Sequence, residues 1–173
     1  FPAVTGELGE TPQMQAGSGK APTSLQVRVL HEGDGRPVTV KDQVLMDTLG
    51  NLWDGKTVMS TFRIGDSAQG YAMSEVIPGW KQALIGKKLR SRVQITVPPQ
   101  LGFQGEAAKR IPANSTMVFV IDLISAMDLR DVSALKQAKK IDKSFDKLPK
   151  GLKISGAPGT QPQISIDPAL PAP

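Results

Sequence analysis

The run Val76-Ile77-Pro78-Gly79-Trp80 restricts what this chain can fold into more than any other segment. Proline has no N–H, so Pro78 suits only the first turn of a helix, where that donor has no intrahelical partner anyway. Trp80 and Leu84 lie four apart and share one face, and Gly86 can supply a left-handed stop. The spacing predicts a very short helix carrying one of only two tryptophans. In a chain with one tyrosine and five phenylalanines, an indole on so short a helix reads as the floor of a pocket.

The other periodic segments are extended. Leu25, Val27 and Val29 alternate with polar residues, the pattern of a half-buried strand, ended by Gly33-Asp34-Gly35. Pro37 to Leu49 reads as a second strand region through Val38, Val40, Val44 and Met46, and Asp54-Gly55-Lys56 is a strong turn signal. Val93, Ile95 and Val97 alternate and stop at Pro98-Pro99. Met117 to Ile124 is apolar on both faces, with only Asp122 intervening, which predicts a central strand. Short strands, one short helix and a last buried strand give an α+β class, an antiparallel sheet wrapped on a helix.

The ends differ in character. Residues 1–24 are rich in Gly, Pro and Thr and read as an extended N-terminal arm before a domain over residues 25–127. In 128–173, Val132 to Phe145 has helical spacing, and Pro149 to Pro173 is again rich in Gly and Pro. GELGETPQMQ, from Gly6 to Gln15, resembles GAPGTQPQIS, from Gly156 to Ser165, and Ala172-Pro173 matches Ala21-Pro22. Such self-similarity predicts a linker helix followed by the start of a second copy of the domain.

Composition removes several function classes. The chain has no cysteine, hence no disulfide, zinc thiolate or thiol nucleophile, and its single His31 sits in a turn-like segment, where a solvated role is expected. The net charge of +5 is carried by one stretch: from Arg130 to Lys153 eight Lys/Arg face three Asp. One aromatic, Phe145, accompanies them, so base stacking is poorly served and a solvated linker is expected, with no nucleic-acid partner. No apolar run is long enough to span a bilayer. The chain starts at Phe1 without a charged leader or apolar core, which reads as a mature or excised piece.

Three separated motifs, VIPGWKQALIGKK (Val76 to Lys88), VPPQLGF (Val97 to Phe103) and RIPANSTMVFVIDLI (Arg110 to Ile124), resemble the FK506-binding-protein family of peptidyl-prolyl cis-trans isomerases in order and spacing. The resemblance covers roughly Leu25 to Met127. It implies a half-open antiparallel sheet curled around the short helix, with an aromatic pocket between them. It places Trp80 on the pocket floor, Val76 and Ile77 in the wall, and Tyr71 where the family has a lining phenylalanine. Phe119 would come from the last strand, as core or as pocket lining, and Phe103 falls where the family usually has tyrosine. Val58 falls where the family usually has phenylalanine, and Ile111 lies on the loop after Phe103. The arm and the repeat look like tandem-domain lipoproteins of this family from Gram-positive actinobacteria. That likeness implies an extracytoplasmic protein whose only membrane attachment is a lipid anchor upstream of Phe1.

The activity implied needs no cofactor. An X–Pro amide turns over a barrier of about 18–20 kcal/mol and takes tens to hundreds of seconds unaided. In the twisted transition state its carbonyl is less polar, so a dry apolar pocket favours the twisted form. The chain departs from the family at polar positions. The family's aspartate aligns with Met59, a strand tyrosine with Thr48, and the loop tyrosine has lost its hydroxyl in Phe103. Each lost hydrogen bond is worth about 0.5–1.5 kcal/mol net, so losing three weakens FK506-type macrolides by roughly a hundredfold or more. The expected partners are proline-containing polypeptides. Two functions stay open: an isomerase of exported proteins, or a degenerate domain that holds unfolded or proline-containing segments as a chaperone. A pure spacer, the third reading, predicts a collapsed or self-filled pocket.

Overall fold

In the computed structural model the described residues are 1–62, 68–103 and 111–128, with the backbone alone of 152–155 and 163–166. In chain order the elements are β1 (Val4–Thr5), β2 (Gln13–Met14), β3 (Gln26–His31), β4 (Asp42–Leu52), β5 (Thr57–Ser60) and β6 (Gln69–Ala72). Then come α1 (Pro78–Leu84), β7 (Arg92–Val97), a single 3-10 turn at Pro99–Leu101, β8 (Met117–Asp128), β9 (Leu152–Ser155) and β10 (Gln163–Ile166). Residues 1–130 form one unit and residues 131–173 another.

The first unit is an antiparallel sheet in the order β3-β7-β8-β4-β5, with β6 sharing the β4 edge that β5 also uses. β4 and β8 form its spine, paired from Asp42 opposite Asp128 to Leu52 opposite Met117. The register explains why β8 is apolar on both faces. Met117, Phe119, Ile121 and Leu123 join the core that packs on α1, together with Val93, Ile95, Val97, Trp80 and Leu84. Val118, Val120 and Asp122 face the other way and are buried too, because residues 1–24 lie over that outer face.

That arm is not simply extended. β1 and β2 form a small antiparallel hairpin. Arg92 anchors it, donating to Gly6 O at 2.8 Å and Glu10 O at 2.7 Å, while Asp122 accepts from the Gly9 N–H at 3.0 Å. Arg92 and Asp122 are bonded to each other at 2.6 Å and 2.8 Å, at 2% and 3% side-chain exposure. Further along, the Gly17 N–H donates to Trp53 O, and Trp53 Nε1 to Gly19 O.

Most expected elements stand where the sequence put them. The helix begins at Pro78, Gly86 is left-handed at φ 84°, β7 stops at Pro98, and Gly55 turns β4 into β5. The second strand, however, begins at Asp42 and not at Pro37. The Asp42 carboxylate accepts from Thr39 N, Thr39 Oγ1 and both terminal nitrogens of Arg36, which bends residues 38–41 into a turn and leaves Val40 exposed. His31 ends β3 and is exposed, as its turn-like surroundings suggested. The helix expected over Val132 to Phe145 lies outside the described residues. β9 and β10 pair as a second hairpin within the Gly/Pro-rich tail that read as the start of a second copy.

Candidate functional site

Helix α1 is the centre of the site. Its N-cap, Ile77, is held extended at φ −53°, ψ 148°, as a residue before proline must be. No side chain caps the first turn, and Lys81 Nζ ties the helix back to Ser74 O at 2.7 Å. Gly79 lets the helix sit close to β7, since a Cβ there would lie 2.6 Å from Val97 Cγ1.

This close seat fixes Trp80 at 2% exposure. Its ring meets Tyr71 edge-on at 5.4 Å and 73°, and Phe119 at 5.2 Å and 88°. Such T-shaped contacts set the positive edge of one ring against the negative face of another. Phe103 stands 6.4 Å from Phe119. In β4, Gly50 pairs with Phe119, and a Cβ there would lie 2.7 Å from Met59 Cγ and 2.8 Å from the Phe119 ring. The missing side chain lets Met59 and Phe119 close on one another. The buried Trp80 Nε1–H finds no acceptor among the described residues.

Above these rings opens a cavity of about 350 Å³, lined by Met59, Tyr71, Val76, Ile77, Trp80 and Phe103, with Gly70, Ala72 and Glu75 completing it. Glu75, the one ionisable carboxylate among these, is exposed. The Tyr71 hydroxyl lies 3.4 Å from Gln69 Oε1, too long for a strong bond. A wider hollow of about 800 Å³ shares Phe103 and includes Ile111, but exposed loop residues Pro112, Ala113 and Asn114 form much of its wall. The smaller cavity is the better candidate for a binding site, because its walls are largely aromatic and aliphatic and its shape is set by packed elements.

Six of the residues singled out in the sequence therefore meet in one place: Met59, Tyr71, Val76, Ile77, Trp80 and Phe103. The other four do not line the cavity. Phe119 is fully buried and supports Trp80 from below. Thr48 pairs with Ile121 in the middle of β4, fully buried, its Oγ1 without a partner among the described residues. Val58 and Ile111 are half-buried and pack on the core. Sequence reasoning missed Gly70 and Ala72, small residues on the short edge strand β6, and Glu75 in the turn before α1, none of which gives a local signal. It also missed Arg92–Asp122, although a charge of each sign on two apolar strands was a cue.

With this geometry in hand, comparison with known proteins is direct. The signature of FKBP-type peptidyl-prolyl cis-trans isomerases spans residues 34–124, more than half the chain. The chain belongs to that family. A probable FK506-binding protein of Corynebacterium glutamicum is 30% identical to this FKBP-type chain over 118 residues, covering 68% of it and 99% of the relative. The FKBP-type isomerase FkpA of Escherichia coli K12 is 28% identical over 116 residues, covering 67% of this chain and 43% of FkpA. The FKBP-type chain thus spans less than half the length of FkpA. The FkpA crystal structure superposes with a TM-score of 0.57 at 29% identity, over 63% of this chain and 51% of that one. AtFKBP13 shares the fold at a TM-score of 0.51 and 23% identity, over 62% and 96% of the two chains.

Proposed function

We propose that this FKBP-type domain catalyses cis–trans isomerisation of X–Pro bonds in exported polypeptides. The cavity above Trp80 carries the proposal: an open cleft walled by Met59, Tyr71, Val76, Ile77 and Phe103, in which the exposed Glu75 is the one charged group among the described residues. A prolyl ring seated on the indole would leave water, and the twisted amide, with its less polar carbonyl, loses less by that transfer than the planar one. The backbone N–H of Ile77, fixed in extended geometry by Pro78, would hold a neighbouring substrate carbonyl. Desolvation and placement of this kind do the work, and no nucleophile or proton transfer enters. Phe119 then acts as a support for Trp80, and Thr48, Val58 and Ile111 shape the core around the site.

An extracytoplasmic setting with a lipid anchor upstream of Phe1 belongs to the same proposal, resting on the likeness to tandem lipoproteins. No helix among the described residues is long and apolar enough to cross a membrane, which says nothing of strand-built spans. FK506-type macrolides would enter the same cavity with reduced affinity, since Met59 and Phe103 offer no carboxylate or hydroxyl.

Met59 in the cavity wall also favours a second reading, in which the domain holds proline-containing or unfolded segments without useful turnover. The open cavity speaks against a pure spacer. The deciding measurement is the rate of a proline-limited refolding reaction with this chain and with its Trp80→Ala variant at matched folding. Acceleration that vanishes in the variant supports catalysis. No acceleration, together with saturable binding of unfolded chains, overturns it and leaves a holding domain.

A further inference from the structure

The second hairpin repeats the first in sequence and in register. β1 and β2 pair Val4 with Met14 and Thr5 with Gln13. β9 and β10 pair Ile154 with Ile164 and Ser155 with Gln163. Each partner in the second set lies 150 positions after its counterpart (154 − 4, 155 − 5, 163 − 13, 164 − 14). The loops between then align without a gap, and Gly6, Gly9, Pro12 and Gln13 meet Gly156, Gly159, Pro162 and Gln163. Shared composition alone would not give the same cross-strand partners at the same offset.

In the first hairpin those positions are read by the sheet. Gly6 and Gly9 are left-handed, at φ 103° and 85°, which glycine adopts without strain. They and Glu10 present two carbonyls and one N–H to Arg92 and Asp122. Gln94 Nε2 takes a third carbonyl, that of Pro2, at 2.9 Å. Pro12 is buried. Recognition runs through the main chain, so side chains can differ: the sheet reads Glu10 only through its carbonyl, and Thr160 at the matching position has the same group.

We propose that the strand pair β9–β10 belongs to a second docking arm, and that its receptor is the outer sheet face of a second domain of this same fold. The partner chemistry is specific: a buried arginine–carboxylate pair that donates to two hairpin carbonyls and accepts one hairpin N–H. In this chain that face is already covered by residues 4–14, so the second arm serves another copy, as in a tandem array whose domains each carry an arm ahead of the sheet.

The test grafts one arm onto the other's place. In the full chain, residues 4–15 are replaced by the sequence of 154–165, and in a control by a Gly/Ser linker of equal length. The readout is exchange protection of the Arg92 Nε–H and of the backbone amides of Val118 and Val120. The graft is expected to keep protection within roughly threefold of the parent, and the linker control to lose about a hundredfold or more. A graft that exchanges like the control overturns the proposal, and the graft decides even where the control unfolds. A labelled peptide of residues 151–167 supplies a second reading. It is expected to bind the linker control at least about tenfold tighter than the parent, whose face is occupied. Equal binding to both would place the hairpin elsewhere and also overturn it.

Discussion

Replacing Arg92 by methionine tests how the arm is held. The guanidinium is buried, makes two bonds to Asp122 and two to arm carbonyls, and lies 5.6 Å from the Phe62 ring. Arg92→Met leaves the Asp122 carboxylate buried with the Gly9 N–H as its remaining bond to the arm. Breaking a buried pair from one side costs about 3–5 kcal/mol, mostly through the charge left behind. The lost bonds to Gly6 and Glu10 overlap with that figure and do not add to it in full. For a unit of this size the loss lowers Tm by roughly 10–20 °C. Arg92→Met/Asp122→Leu removes both charges and should recover at least half of it. Urea unfolding followed by tryptophan emission measures each variant, and Trp53, bonded to the arm at Gly17 and Gly19, reports arm release. A single-variant loss under about 1 kcal/mol, or a double variant that costs the sum of the singles, would show that the pair is not what anchors the arm.

Three further outcomes are expected. Gly79→Ala puts a Cβ 2.6 Å from Val97 Cγ1, so α1 should lift off β7 at a cost of about 1–3 kcal/mol, and refolding acceleration should fall with it; an unchanged Tm would contradict the close seat. Met59→Asp returns a carboxylate to the cavity wall and should raise macrolide affinity by up to about tenfold in calorimetry; no gain would mean that Met59 does not occupy the recognition position. Asp42 is held below its ordinary value of 3.8 first by the hydrogen bond from Arg36, then by those from Thr39. A lowered folded pKa stabilises the fold above about pH 4, and that contribution is lost as pH falls through the folded value. The stability gap between the parent and Arg36→Met should therefore be widest above pH 4 and close below it; a gap independent of pH would rule this out.

What could be read in advance was local. Pro78, Trp80, Leu84 and Gly86 fix the helix within nine residues, and β7 and β8 follow from alternation and from a run apolar on both faces. The turn at Asp54-Gly55-Lys56 needed only its own residues. Where partners lie far off, the reading failed. The delayed start of β4 depends on Arg36 and Asp42 meeting across a turn. β5 and β6, four residues each, exist because both share one edge of β4. The arm hairpin has two paired positions of its own and is held by residues more than eighty positions away. Val76, Ile77 and Trp80 reach the cavity together because they lie within five residues of chain. Thr48 misses it because strand register, which sequence period leaves open, sets it opposite Ile121.

The arm changes what counts as the folding unit. The family signature begins at residue 34, yet the outer face of β8 and its neighbours is built to be covered. Leu49, Val118 and Val120 lie outside the core that packs on α1 and are still buried, at 8%, 1% and 0% exposure. Beside them Gln94 and Thr96 are fully buried on β7, a strand whose polar alternate positions would suit water had nothing lain over them. An antiparallel sheet usually keeps one solvated face; this one packs a helix on one side and its own N-terminus on the other. β8 links the two, since Phe119 supports Trp80 while Val120 and Asp122, one and three residues on, face the arm. One strand thus supports the cavity floor on one face and carries the arm on the other, and the folding unit takes in the arm as well as the sheet.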